Sequence, residues 1–137
     1  MVGIRATASM ASPLTAALAT RWLESGTADA ALDAIRRETK ARQAIVRSRL
    51  GDGIRMPAGA FHGWLILPGQ WTREALVARL RAEGVGVVSS DAFAVADPPE
   101  AVRLSLGAPR NTEALKQSLD ILSSALSQRP AASTLIV

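Results

Sequence analysis

Several residue types that build common catalytic and metal sites are absent or scarce in this chain. It has no cysteine, which excludes disulfides, thiolate catalysis and zinc sites of the cysteine type. A single histidine, His62, leaves too few nitrogen ligands for a histidine-rich metal site. Because His62 lies beside Trp64 in an apolar run, we interpret it as a structural histidine and expect no metal site.

Long apolar runs are also missing. No segment near the start approaches the apolar stretch of a signal peptide, and none is long enough to span a bilayer. We therefore expect a soluble, cytoplasmic protein with no membrane contact. Its length of 137 residues is typical of one domain, and its apolar fraction of 48% is enough for a substantial core.

The positive charge is concentrated in one segment. The chain carries a formal net charge of +4, and cations crowd residues 36–49: Arg36, Arg37, Lys40, Arg42, Arg47 and Arg49. A small basic nucleic-acid-binding module is one interpretation of this cluster. However, no aromatic residue interleaves with the cations, and they spread around the helix expected there. We therefore favour a solvated helix face.

The order of helix and strand signals predicts the fold class. Helices are expected where Ser12-Pro13, Thr72 and Asn111 provide starts, and a long helix is expected from Ala28 to about Leu50. Strands are expected at residues 61–67, 85–88 and 101–106. The order α-α-β-α-β-β-α predicts an α+β two-layer sandwich, with a small, mostly antiparallel sheet of three to four strands packed against helices.

We interpret the chain as a single domain, 1–137, without internal repeats or a long linker. It divides into an irregular lead-in (1–11), two helices (12–50), an α/β core (54–129) and a tail (130–137). The glycines of Gly84-Val85-Gly86 do not form a phosphate loop, because the expected helix precedes them and the strand follows. Gly84 is better explained as the end of that helix.

The strand at 101–106 carries the most informative charged residue. Val102, Leu104 and Leu106 alternate with polar positions, so one face should pack on the helices while the other presents Arg103 and Ser105. A guanidinium held on a strand suits bidentate binding of a carboxylate. The alternative is an arginine that is solvated or paired with an acid.

No residue pattern points to catalysis within the chain. Lys40 and Lys116 are the only lysines, and both are expected on exposed helix faces, where neither suits a desolvated Schiff-base role. We find no nucleophile and no acid–base pair. We expect the chain by itself neither to bind a cofactor covalently nor to catalyse a reaction.

Four segments, in order, resemble one family. Residues 61–68 (FHGWLILP) are similar to the strand that opens the small domain of class I and II aminotransferases. Residues 84–93 look like the "G-V-x-V … F" segment, and residues 101–107 (AVRLSLG) look like the "R-L-S" strand. Residues 37–43 match the "R-x-x-Y-x-x-R" helix, except that Thr39-Lys40 stand where the aromatic would be. Ser89-Ser90 replace the usual Pro-Gly.

Within these fold-type I pyridoxal 5′-phosphate (PLP) proteins, the chain most resembles MocR-type transcriptional regulators of the GntR family. The resemblance implies that it is a C-terminal small domain. The cofactor, its Schiff-base lysine and the DNA-binding domain would then lie upstream, outside this chain. It also implies that Arg103 binds the carboxylate of an amino acid effector, substrate or PLP adduct, and that the full-length protein is a homodimer. The small domain of an ordinary aminotransferase is the alternative, so whether the parent protein is an enzyme stays open.

Overall fold

The computed structural model of the protein describes residues 12–128, which fall into two compact units divided between Arg37 and Glu38. The helices are α1 (Pro13–Glu24), α2 (Thr27–Leu50), α3 (Arg73–Ala82) and α4 (Thr112–Ser127). The strands are β1 (Ile54–Arg55), β2 (His62–Ile66), β3 (Val88–Ser89) and β4 (Ala101–Ser105). Short 3₁₀ turns occupy Gly51–Gly53 and Ser90–Phe93. No helix in the described part is long and apolar enough to cross a membrane.

The first unit contains α1 and the beginning of α2. Pro13 opens α1 directly after Ser12, as the sequence predicts, and Gly26 separates the helices with a φ of 73°. Leu14, Leu18 and Trp22 follow at four-residue spacing, so they share one face of α1, and all three are exposed. This unit therefore has an apolar helix face that its own residues do not bury.

The second unit is built on a four-stranded antiparallel sheet with the order β1-β2-β4-β3. One face of the sheet packs against helices. The shared core includes Val46 from α2, Leu76 and Leu80 from α3, and Leu119 and Leu122 from α4. The α+β class, the two layers and the antiparallel sheet are therefore confirmed.

Strand register determines which side chains share a face. Directly opposed residues lie on the same side of an antiparallel sheet. Ile54, Leu65 and Val102 are opposed in one row, and all three are buried in the core. Gly63 belongs to the same face, where an added Cβ would collide with Ile54 Cδ1, which explains a glycine inside β2.

Helix starts and stops follow the sequence signals closely. The side chains of Thr72 and Asn111 accept hydrogen bonds from the backbone N–H groups of Ala75 and Ala114, at 3.2 and 2.8 Å. Gly84 ends α3 with a φ of 78°, and the next N–H, that of Val85, donates to the carbonyl of Leu80. These capping predictions are confirmed.

The strands depart from the predictions in two places. β1 was not expected, because two residues are too short to show an alternating pattern. The strand expected at 85–88 is confined to Val88–Ser89, since the backbone of residues 85–87 does not continue the ladder with β4. The lead-in 1–11 and the tail 130–137 lie outside the described residues.

His62 and the second helix also correct the sequence interpretation. His62 is exposed rather than buried, because it lies on the outer face of β2, opposite Ser105. The expected solvated face of α2 is wrong for Arg42, which is 9% exposed and lies among the buried side chains of Thr39, Gln43 and Val46. Polar residues on this face of α2 are buried because backbone carbonyls accept their hydrogen bonds: Gln43 Nε2 donates to the carbonyls of Pro57 and Ala60, both at 2.9 Å.

Candidate functional site

The outer face of the sheet, away from the core, carries a row of four opposed residues. Arg55, Trp64, Arg103 and Val88 come from β1, β2, β4 and β3 in spatial order. The alternation predicted for residues 102–106 is confirmed, since Val102, Leu104 and Leu106 are buried. Arg103 is half-buried, and it lies on β4, which has a neighbouring strand on each side.

The guanidinium of Arg103 lies over an aromatic ring, which in turn contacts a second ring. Its Cζ atom lies 4.5 Å from the ring centroid of Phe93, which belongs to the 3₁₀ turn Ser90–Phe93. The rings of Trp64 and Phe93 meet edge to face, with centroids 6.0 Å apart. A guanidinium over an aromatic face gains cation–π attraction, and the restricted side chain loses less entropy on binding a ligand. We define Trp64, Phe93 and Arg103 as the arginine–aromatic cluster.

Arg103 forms no ion pair and donates no hydrogen bond to any side chain or carbonyl within residues 12–128. Its Nε atom is buried and has no partner there. Most buried polar groups in proteins are paired, so this atom needs an explanation. Acids are available elsewhere: Arg49 pairs with Asp120 at 2.7 Å, and Arg73 pairs with Glu100 at 2.6 Å. The alternative in which Arg103 pairs with an acid has no support among the described residues.

The loop that carries Phe93 is anchored by hydrogen bonds at both ends. Ser90 is 1% exposed, and its hydroxyl donates to the carbonyl of Pro99 at 2.6 Å. Arg73, at the start of α3, pairs with Glu100 and approaches Asp91 at 3.7 Å. The position of the Phe93 ring is therefore set by contacts to α3 and to the residues that precede β4.

Asp91, which belongs to this loop, has a pKa below its ordinary value. The hydroxyl of Ser89 donates to its carboxylate, and this bond lowers the pKa of Asp91 below its ordinary value, aided by a backbone hydrogen bond and by Arg73. A lowered pKa means that the ionised carboxylate is favoured in the folded protein. Its stabilising effect is present above the ordinary pKa of aspartate and is lost as the pH falls through the lowered value.

Substituting Ser89 by alanine should therefore raise the pKa of Asp91. The reason is the loss of the largest contribution that favours the charged form. NMR titration of the Asp91 side-chain carboxyl carbon measures this directly. Ser105→Ala, a substitution of an exposed serine on the open sheet face, should leave the pKa of Asp91 unchanged, and an equal shift in both variants would contradict the assignment.

Other residues singled out in the sequence are not brought together with Arg103. Lys40 is exposed, and Lys116 lies on α4 beside Glu113, with 3.6 Å between charged atoms. Within the described range, no three His, Cys, Asp or Glu side chains group as metal ligands would. In the sequence, Trp64 and Phe93 stand out only as parts of motifs. Nothing in the sequence shows that the loop with Phe93 lies over Arg103, or that Phe93 contacts Trp64.

The basic segment of α2 does not form a single exposed stripe. Arg42 donates to the carbonyls of Leu106 and Pro109, both at 2.8 Å, and Arg49 is paired with Asp120. Arg47 also donates to the carbonyl of Met56, at 3.4 Å, so three of the six cations are used in contacts with other parts of the second unit. A phosphate-binding surface requires cations that are free to face a ligand, so these contacts weaken the nucleic-acid alternative.

Sequence comparison relates the chain to a known protein. No protein-family model matches the chain. The chain is 35% identical over 118 residues to the HTH-type transcriptional regulator YdeF of Bacillus subtilis (strain 168), an alignment that covers 81% of this chain and 25% of that protein. The chain thus spans about a quarter of the length of this relative. These findings relate the chain in sequence to part of a transcriptional regulator of the HTH type.

Proposed function

We propose that this chain is the C-terminal small domain of a cytoplasmic, PLP-binding transcriptional regulator of the MocR type. Its role is to supply one side of a cleft in which Arg103 binds the carboxylate of an amino acid or of its PLP adduct. The large domain and the DNA-binding domain would be contributed by residues outside this chain, in a homodimer. The similarity to an HTH-type regulator supports this context over an ordinary aminotransferase.

The observation that carries the proposal is that the Arg103 guanidinium has an aromatic contact but no acidic partner among the described residues. Its guanidinium is oriented by Phe93, its Nε is buried without a partner, and no described acid neutralises it. A carboxylate would satisfy this group with charge-assisted hydrogen bonds, and the planar guanidinium allows two of them in parallel. The Phe93 ring covers one side of the guanidinium, which restricts the directions from which a ligand can approach.

The residues described here do not fit a covalent PLP site. A Schiff-base lysine needs a lowered pKa, which burial or a neighbouring cation would supply. Lys40 is exposed, and Lys116 lies with its charged atom 3.6 Å from that of an acid, Glu113, so neither lysine has the burial or the cationic neighbour that the role requires. We therefore assign no cofactor-holding residue to this chain and restrict the proposal to carboxylate binding by Arg103.

Two PLP-derived ligands, one with an amino acid carboxylate and one without it, test this role in the full-length protein. Phosphopyridoxyl-L-alanine, the reduced adduct of PLP and alanine, carries the carboxylate, whereas pyridoxamine 5′-phosphate lacks it. Arg103→Ala should weaken binding of the first by about 10- to 100-fold, because a hydrogen bond to a charged group contributes roughly 1.5–3 kcal/mol. Affinity for the second should change little. Isothermal titration calorimetry of both ligands gives the comparison.

Arg55→Ala is the matched control, since it removes the same charge from the same row of the sheet on the far side of Trp64. It should leave both affinities nearly unchanged. Equal losses in the Arg55 and Arg103 variants, or a loss for both ligands in the Arg103 variant, would rule out a specific carboxylate contact. Arg103→Lys should restore part of the affinity, because the charge returns without the planar pair of donors.

A further inference from the structure

A cavity of about 400 Å³ lies within the second unit, where α4, β4 and the segment that follows α3 meet. Most of its lining is aliphatic. The larger aliphatic side chains of this wall are Val85, Val87, Leu104, Leu115, Leu119 and Leu122. Pockets of roughly 300–1,000 Å³ hold small organic ligands in proteins. The cavity is therefore large enough for a small molecule with an aliphatic body.

The short length of β3 leaves an open hydrogen-bond donor beside this wall. The ladder between β3 and β4 stops at Val88, so residues 85–87 do not pair with Ser105, which lines the cavity. The N–H of Leu106 donates to the carbonyl of Phe61, on the side of β2. Because successive N–H groups of a strand point to opposite sides, the N–H of Ser105 points toward residues 85–87. No backbone carbonyl within residues 12–128 accepts it.

Arg110 supplies the charge at the cavity. Among the described residues that line it, Arg110 is the only charged one, and it is exposed to solvent. It forms no ion pair within residues 12–128. The acid closest to it in sequence, Glu113, is paired with Lys116, with 3.6 Å between charged atoms. The hydroxyl of Ser118, also in the lining, already donates to the carbonyl of Ala114 at 2.9 Å.

We propose that this cavity binds an aliphatic monocarboxylate, with its hydrocarbon chain against the apolar wall and its carboxylate at Arg110. Removing the chain from water is favourable in proportion to the apolar surface buried. A guanidinium attracts a carboxylate, whereas an amine would meet Arg110 and no acid in the described lining. A second carboxylate on the ligand would have to enter the apolar wall, which is strongly unfavourable. The arginine–aromatic cluster does not line this cavity, so the proposal is independent of the role of Arg103.

Octanoate, hexanoate and octylamine test the two parts of such a ligand with this chain. In an NMR titration, octanoate should cause saturable shifts of the methyl signals of Val85, Val87, Leu115 and Leu119. Hexanoate should bind about 10- to 15-fold more weakly, because each buried CH₂ group contributes about fourfold in affinity. Octylamine, which carries the opposite charge on a chain of equal length, should also bind more weakly than octanoate. Absence of saturable shifts with octanoate, or equal affinities for octanoate and hexanoate, would overturn the proposal.

Reversing the charge at the cavity tests the role of Arg110. Arg110→Glu should invert the preference, so that octylamine binds more tightly than octanoate. Because Arg110 is exposed, the variant should fold as the natural chain does. Arg55→Glu is the matched control, since it makes the same change in net charge on β1, away from the cavity, and it should keep the preference for octanoate. Inversion in both variants, or no inversion in the Arg110 variant, is incompatible with the proposal.

Filling the cavity tests where the hydrocarbon chain lies. Ser118→Leu should abolish the shifts caused by octanoate, because the larger side chain occupies the space beside α4. Ser124→Leu makes the same change at an exposed position of α4 that does not line the cavity, and it should bind octanoate as the natural chain does. Full affinity in the Ser118 variant would place the ligand elsewhere and overturn the proposal. If the Ser118 variant fails to fold, the charge reversal at Arg110 decides alone.

Discussion

Replacing Leu76 by alanine should lower the free energy of unfolding of this chain by about 2–5 kcal/mol. Leu76 is fully buried in the shared core, where α3 packs on the sheet. The loss combines the missing apolar transfer energy with the cost of the cavity that remains. Because domains of this size are stable by about 5–15 kcal/mol, the variant should be close to unfolding. Urea denaturation followed by circular dichroism measures the change.

Leu23→Ala is the matched control, because it makes the same chemical change on α1, where Leu23 is 67% exposed. Surface substitutions of this kind alter stability by less than about 0.5 kcal/mol. If both variants lost the same stability, the burial of Leu76 in the shared core would be contradicted.

Arg42→Ala should be the second large destabilisation, by about 2–4 kcal/mol. The guanidinium is buried and donates to the carbonyls of Leu106 and Pro109 and to Glu38, the last at 2.7 Å. Its removal leaves two carbonyls without these donors beside the end of β4. Arg42 thus ties α2 to the strand that presents Arg103, and the loss should appear in urea denaturation.

Arg37→Ala provides the comparison for this variant, since Arg37 is an exposed arginine on the same helix. Its stability should stay within about 0.5 kcal/mol of the natural chain. Similar losses of stability in both variants would mean that the effect comes from removing a positive charge from α2 or from a change in helix propensity. The hydrogen bonds of Arg42 would then not be its cause. Arg42→Lys should recover only part of the stability, because an ammonium does not reproduce the fork of donors.

The elements with strong local signals were predictable from the sequence. Asn111 and Thr72 cap their helices through short-range hydrogen bonds, so their positions depend on a few neighbouring residues. The alternation of Val102, Leu104 and Leu106 likewise reports one strand with one buried face. Arg103 could be placed on the opposite face for the same reason.

Features that depend on contacts between distant segments were not predictable in this way. Arg42 looks like one of several surface cations in the sequence, and its burial follows from carbonyls more than 60 residues away. His62 lies in an apolar run, yet the outer face of β2 is open, so it is exposed. The ring of Phe93 reaches Arg103 only because Ser90 and Arg73 anchor its loop.

The arginine–aromatic cluster gives the open sheet face a specific chemical character. Trp64 and Phe93 contribute apolar surface, and Arg103 contributes a positive charge without an acidic partner among the residues described. Arg55, in the same row, has no comparable aromatic contact in this part of the chain. A carboxylate ligand should therefore bind at Arg103 in preference to Arg55, although both arginines lie on the same face of the sheet.

NMR titration of this chain with phosphopyridoxyl-L-alanine tests that claim most directly. The account predicts saturable shifts of the Arg103 Nε–H and Trp64 indole N–H signals, with the Arg55 signal unchanged. Pyridoxamine 5′-phosphate, which lacks the carboxylate, should leave the Arg103 signal in place. Equal shifts at Arg55 and Arg103, or the same response of Arg103 to both ligands, would contradict carboxylate binding at the arginine–aromatic cluster.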